Sequence, residues 1–148
     1  MEPISVFTIG YEKRKIEDFV ERLQQFGVNV LIDVREVPAS RKPGFSKNKL
    51  KEYLGRFNIM YVHTKELGSP KELRQKLYQD NDYDYFFKEY RKHLKTQMSV
   101  VRDLYLNTIV HGVSCFMCME KEPSDCHRKI VAEKIKEVDG NGLIIKHL

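Results

Sequence analysis

Five short apolar runs, separated by stretches of helical periodicity, constrain the fold of this 148-residue chain more than any other feature. Residues 4–9 are apolar and β-branched and halt at Gly10. Residues 29–34 follow Gly27 and run through Val30, Leu31 and Ile32 to Asp33. Residues 59–63, 113–119 and 143–146 complete the set. Near-continuous apolar runs of this length suit strands covered on both faces. Between the first two, Ile16, Phe19, Val20, Leu23 and Phe26 recur three or four apart, one stripe of a helix that Gly27 stops. Ser46 predicts the cap of a helix carrying Leu50, Tyr53, Leu54 and Phe57. Residues 83–94 and 100–110 are also periodic, so 70–110 reads as a mostly helical insertion before the fourth strand. Ser124 predicts the cap of a last helix with Ile130, Val131, Ile135 and Val138. The alternation predicts an α/β three-layer sandwich, Rossmann-like, with a mainly parallel sheet of about five strands and one domain over 1–148.

Composition narrows the class. Apolar residues make up 41% and charged residues 32%, an ordinary globular balance, and the net charge of +5 favours anionic partners. No apolar run is long enough to span a bilayer, so no membrane partner is expected. The three cysteines, Cys115, Cys118 and Cys126, are odd in number and clustered, unlike a disulfide framework. With no secretory leader at the start, the expectation is a reduced, cytoplasmic protein.

In open parallel sheets, ligands collect beyond the carboxyl ends of the strands. That rule gathers Gly10 and Tyr11; Asp33, Arg35 and Arg41; His63; and Cys118, Glu120, Cys126, His127 and Arg128. The expectation is one cleft at that edge, rimmed by positive charge. A Ser124 cap leaves the amides of Asp125, Cys126 and His127 free in a first turn, where they and the helix dipole favour an anion. Arg35, Arg41 and Arg128 suit phosphate or carboxylate, and Glu120, after an apolar strand, is the preferred general acid/base. Cys126 and His127 are the assisting catalytic candidates. Plainer readings stand beside these: Arg35 paired with Glu36 or Glu120, Asp33 accepting from backbone amides, His63 satisfied in the core, His127 and Arg128 solvated. A zinc quartet of Cys115, Cys118, Cys126 and His127 is not expected. Cys115 and Cys118 are three apart on a strand and face opposite sides, and Cys126 and His127 are adjacent. The site-residue expectation therefore includes no metal, and no cofactor is assigned.

The same residues carry a resemblance. Thr8-Ile9-Gly10-Tyr11, Asp33-Val34-Arg35 with Pro38, Ser40 and Arg41, Tyr61-Val62-His63 with Glu66-Leu67-Gly68, and Cys118-x-Glu120-x-x-Pro123-x-x-Cys126-His127-Arg128 together resemble the domain of unknown function 488 family. The resemblance implies a compact α/β fold and a shared pocket built from those motifs, and it supplies no reaction. Many relatives carry His where this chain has Tyr11.

Three functions follow as expectations. The first is an enzyme or enzyme-like domain acting on an anionic, phosphate-bearing or nucleotide-like small molecule. The second is a nucleic-acid-binding module using the basic segment from Arg41 to Arg56, with Phe45 and Tyr53 as stacking surfaces. The third is a thiol redox sensor using Cys118 and Cys126.

Overall fold

The computed structural model describes residues 2–148. The five apolar runs form strands β1 (Ser5–Gly10), β2 (Val30–Asp33), β3 (Met60–His63), β4 (Ser114–Cys118) and β5 (Ile144–His147). They make one open sheet in the order β3-β2-β4-β1-β5, and every neighbouring pair is parallel. The register levels one edge. Gly10 lies opposite Cys118, and Asp33 lies opposite both Met117 and His63.

Six helices cover the sheet: α1 (Ile16–Gln25), α2 (Lys47–Gly55), α3 (Lys71–Asp80), α4 (Tyr83–Lys95), α5 (Met98–Asn107) and α6 (Arg128–Asp139). The stripe of α1 buries Phe19, Val20 and Leu23 against one face, where Leu50 and Leu54 of α2 join it. The other face packs Tyr90 and Leu94 of α4, Val101 and Leu104 of α5, and Ile130, Val131, Ala132 and Ile135 of α6. Each fully buried side chain of this size stabilises the fold by about 1.5–3 kcal/mol. Alternation along β4 sends Cys115 and Met117 to the α1–α2 side, and Phe116 and Cys118 to the α4–α6 side. The fold is therefore an α/β three-layer sandwich on a wholly parallel sheet. No described helix is long and apolar enough to cross a membrane.

Two local expectations are corrected. Ser124 does not cap α6, which begins at Arg128 with His127 in the cap position; Ser124 sits in a 3-10 turn, Pro123–Asp125. The proline favours that tight turn, whose own hydrogen bonds use the amides of Asp125 (to Glu122 O, 3.0 Å) and Cys126 (to Pro123 O, 3.2 Å). Ser46 does occupy the cap position of α2, but its hydroxyl bonds Ser40 across the preceding loop rather than the helix amides. The helical insertion before β4 is three helices, α3 to α5, with α3 starting directly after Pro70.

Candidate functional site

A cleft of about 180 Å³ opens at the carboxyl edge of the sheet. The topology explains its place. The chain leaves β1 and β2 towards helices on one face, and leaves β4 towards α6 on the other, so the backbone parts above these adjacent strands. Tyr11 after β1, Arg35 after β2, Ser69 after β3, Cys118 and Glu120 at the end of β4, and His127 before α6 all line it. Arg74 and Leu77 of α3 and Phe86 of α4 close the far side.

Arg35 is the best-supported residue of this wall. Its side chain is only 7% exposed, and Asp33, fully buried, accepts from its backbone amide (3.1 Å), Nε (2.9 Å) and Nη2 (2.8 Å). Tyr61 donates its hydroxyl to the same carboxylate at 2.6 Å, and the His63 Nε2–H donates to the Arg35 carbonyl at 2.8 Å. Burial works against the charge on Arg35, but the Asp33 carboxylate outweighs it and holds the guanidinium charged beyond its ordinary range. Burial, with help from Asp33, also raises the Tyr61 phenol, which keeps its proton. The guanidinium lies 5.3 Å from the Tyr11 ring centroid. Its remaining nitrogen, Nη1, is buried and has no hydrogen-bond partner among the described residues. A buried donor left unmade costs about 1–3 kcal/mol, more when charged, and Nη1 carries that cost here.

Glu120 lines the cleft from a loop that two buried features hold in place. A Cβ on Gly10 would lie 1.7 Å from the Glu120 carbonyl oxygen, so β1 ends in the residue that lets this backbone approach. Arg128, fully buried, donates to the carbonyls of Glu120 and Lys121 (the latter 3.0 Å) and to Thr8 Oγ1 at 3.3 Å. Burial lifts the Glu120 carboxyl above its ordinary value, while the charge of Arg128 pulls the other way.

Contrary to the expectation of three reduced cysteines, Cys118 and Cys126, both 1% exposed, are joined sulfur to sulfur, with Cα atoms 7.2 Å apart, and only Cys115 is free. Cys118 Sγ is 3.5 Å from Glu120 Oε2 and accepts from Arg128 Nη1 at 3.4 Å. The His127 Nε2–H donates to the Val34 carbonyl at 2.8 Å, and Nδ1 lies 3.9 Å from Cys126 Sγ. A carbonyl only accepts, so this bond fixes the proton on Nε2 and leaves Nδ1 with a free lone pair. Burial pushes the His127 imidazole down to about 4, with the nearby Arg128 charge acting the same way.

The structure brings Tyr11, Arg35, Cys118, Glu120 and His127 onto one cleft, with Cys126 directly behind. Asp33 and His63 stand behind Arg35 and orient it. Gly10 supports the Glu120 loop from below. Arg128 does not line the cleft, because its donors are spent on carbonyls and sulfur. Arg41 is exposed on the loop before α2, outside the lining. The rim is mixed rather than uniformly positive, with Arg35 and Arg74 against Glu36, Glu120 and Asp125. Phe45 is fully buried, stacked on Tyr11 (centroids 4.7 Å) and edge-on to Phe19, so it offers no base-stacking face.

Arg74 and Ser69 were not anticipated from the sequence. Arg74 pairs with Glu36 at 3.0 Å and donates to the Ser69 carbonyl, tying α3 to the loop after β2. The helical insertion gave no signal that it folds back over the sheet edge. The close pairing of Gly68 with Glu36, whose amide would sit 2.3 Å from a Cβ, is the backbone trace of that packing.

A protein-family model described as "Domain of unknown function DUF488" matches residues 15–135. No curated protein and no solved structure matches the chain.

Proposed function

This chain belongs to the DUF488 family, and since that membership names no reaction, we propose a function from the cleft: binding, and enzymatic processing, of a small phosphate-bearing or otherwise anionic molecule of nucleotide-like kind. The observation that carries this reading is Arg35, which lines the cleft and keeps one guanidinium nitrogen, Nη1, buried and without a partner. Asp33 occupies the Nε–Nη2 edge of the guanidinium and leaves Nη1 as its unused donor. An anionic oxygen there completes a charge-assisted hydrogen bond in a poorly solvated setting, where such bonds are strongest. Arg74 adds a second positive group, though it shares its charge with Glu36. Tyr11 and Phe86, both almost wholly buried, add apolar surface to the lining rather than an open face for stacking. Glu120, facing the same space, is the group placed to take or give a proton.

The test is a thermal-shift and calorimetric panel on the full chain: inorganic phosphate, pyrophosphate, nucleoside mono- and diphosphates, and the matching nucleosides. A ligand at about 100 times its Kd stabilises the folded state by about 2.7 kcal/mol, which reads as a rise of roughly 5–11 °C in Tm for a chain of this size. Phosphate-bearing compounds are expected to give that shift in the native chain and not in Arg35→Gln, while nucleosides give none. Equal response of native chain and Arg35→Gln across the panel would refute the reading.

A further inference from the structure

Apart from Arg35, a separate grouping with its own chemistry borders the same cleft, with Cys118 and His127 in the lining and Cys126 behind them. One ligand atom from each of Cys118, Cys126 and His127 lies within 4.8 Å of the other two. We propose that these three residues bind one zinc ion, with the Glu120 carboxylate or a solvent molecule completing a four-coordinate site that opens into the cleft.

Four observations support this. First, the donor set is two thiols and an imidazole, the soft mixture that zinc prefers, and three protein ligands with one open position is the pattern of a catalytic rather than a structural zinc. Second, His127 is already set as a ligand: its Nε2–H is tied to the Val34 carbonyl, and Nδ1 faces Cys126 Sγ at 3.9 Å. A backbone carbonyl on the far nitrogen is the usual outer support of a metal-bound histidine. Third, the charges close. Two thiolates and a carboxylate exceed the charge of a divalent ion by one, and Arg128, 3.4 Å from Cys118 Sγ, supplies the missing positive charge. Fourth, the Cα atoms of Cys118 and Cys126 are 7.2 Å apart, beyond the usual span of a disulfide, about 4.4–6.8 Å. Zinc–sulfur bonds of about 2.3 Å in a tetrahedron hold two sulfurs roughly 3.8 Å apart, a spacing that the wide Cα separation suits once both thiols are reduced.

The sequence argument against zinc rested on Cys115 as a ligand, and Cys115 lies on the opposite face of the sheet, outside this set. The adjacency of Cys126 and His127 is no obstacle. The backbone changes from extended at Cys126 (φ −135°, ψ 143°) to helical at His127 (φ −66°, ψ −16°), which turns successive side chains towards a shared point. Starting from the reduced dithiol, binding replaces two thiol protons by one divalent ion and releases both protons to solvent, with no electron transferred; a joined sulfur pair must first be reduced by two electrons from an external thiol.

The test uses the full chain, reduced and stripped by a chelator, then titrated with Zn2+ against a chromophoric competitor and with Co2+ as a spectroscopic probe. One ion per chain is expected, with release of about two protons near neutral pH. Co2+ should show sulfur-to-metal charge-transfer absorption and the intense bands of a tetrahedral site. Outer-shell changes alone weaken metal sites about 10–100-fold, so loss of a direct ligand in Cys118→Ser or Cys126→Ser should weaken binding by at least about 100-fold. Cys115→Ser should bind as the native chain does. Circular dichroism of each stripped variant separates loss of a ligand from loss of the fold, and His127→Gln provides a third ligand variant if a cysteine variant unfolds. No stoichiometric uptake by the reduced native chain would overturn the proposal. So would uptake undiminished in folded ligand variants, or a Cys118–Cys126 disulfide that persists in equimolar zinc and thiol buffer. The inference stands apart from the anion reading: Arg35→Gln should keep the ion, so failure of either experiment leaves the other interpretable.

Discussion

Replacing Asp33 by Asn keeps the shape of the side chain and removes the charge that Arg35 faces. Asp33 is fully buried and receives the Arg35 amide, Nε and Nη2 together with the Tyr61 hydroxyl. With the carboxylate gone, the guanidinium stays charged in a site that is 7% exposed, and Nη1 already lacks a partner. Removing one member of a buried ion pair costs about 3–5 kcal/mol. The Asn oxygen retains one acceptor, which places the expected loss near the lower end, about 3 kcal/mol. For a chain of this size that is a fall of roughly 6–12 °C in Tm, readable by scanning calorimetry and as a lower urea midpoint at constant slope. The double variant Asp33→Asn with Arg35→Met removes the orphaned charge as well. It should be more stable than the sum of the two single changes by about 2 kcal/mol, a coupling expected only of groups in direct contact. Two results would refute the reasoning: Asp33→Asn within about 0.5 kcal/mol of the native chain, or strict additivity in the double variant.

Other substitutions probe the supports of the cleft. Gly10→Ala sets a methyl group 1.7 Å from the Glu120 carbonyl oxygen and should destabilise by about 1–3 kcal/mol or more in urea, whereas Gly55→Ala, with open space around it, should be neutral or slightly stabilising. Arg128→Met leaves the carbonyls of Glu120 and Lys121 without their buried donor, so the 119–127 loop should become a preferred site of limited proteolysis, with a stability loss of about 2–4 kcal/mol. Tyr61→Phe removes one hydrogen bond to a buried carboxylate and should lower stability by about 1.5–3 kcal/mol; an unchanged Tm would mean that Asp33 does not depend on it.

The architecture was legible because it rests on short-range pattern. Every one of the five apolar runs became a strand; β1, β2 and β4 are covered on both faces and leave almost no exposed position to alternate, whereas the edge strands β3 and β5 stay partly exposed. The stripe of α1 also needed no partner to be recognised, because its Phe19, Val20 and Leu23 fall on one side of any helix. Local chemistry misled where two local structures compete. Ser124 looks like a cap, but Pro123 favours a 3-10 turn, and α6 starts four residues later. Arg35 follows β2 directly and Arg128 opens α6, yet from the sequence both were expected to bind an anion. Packing separates them: Arg128 spends its donors on loop carbonyls, while Asp33 leaves one nitrogen of Arg35 unused.

By itself, then, the sequence determined the α/β class, the strand positions and the edge where polar residues gather, all set by periodicity over a few neighbouring positions. It fell to the tertiary structure to decide which of those residues share a space. The order β3-β2-β4-β1-β5 brings Tyr11, Arg35 and Glu120 together from three separate strands, and the fold-back of α3 and α4 closes the cleft. Strand order and helix docking depend on contacts between segments tens of residues apart, and no local pattern records them.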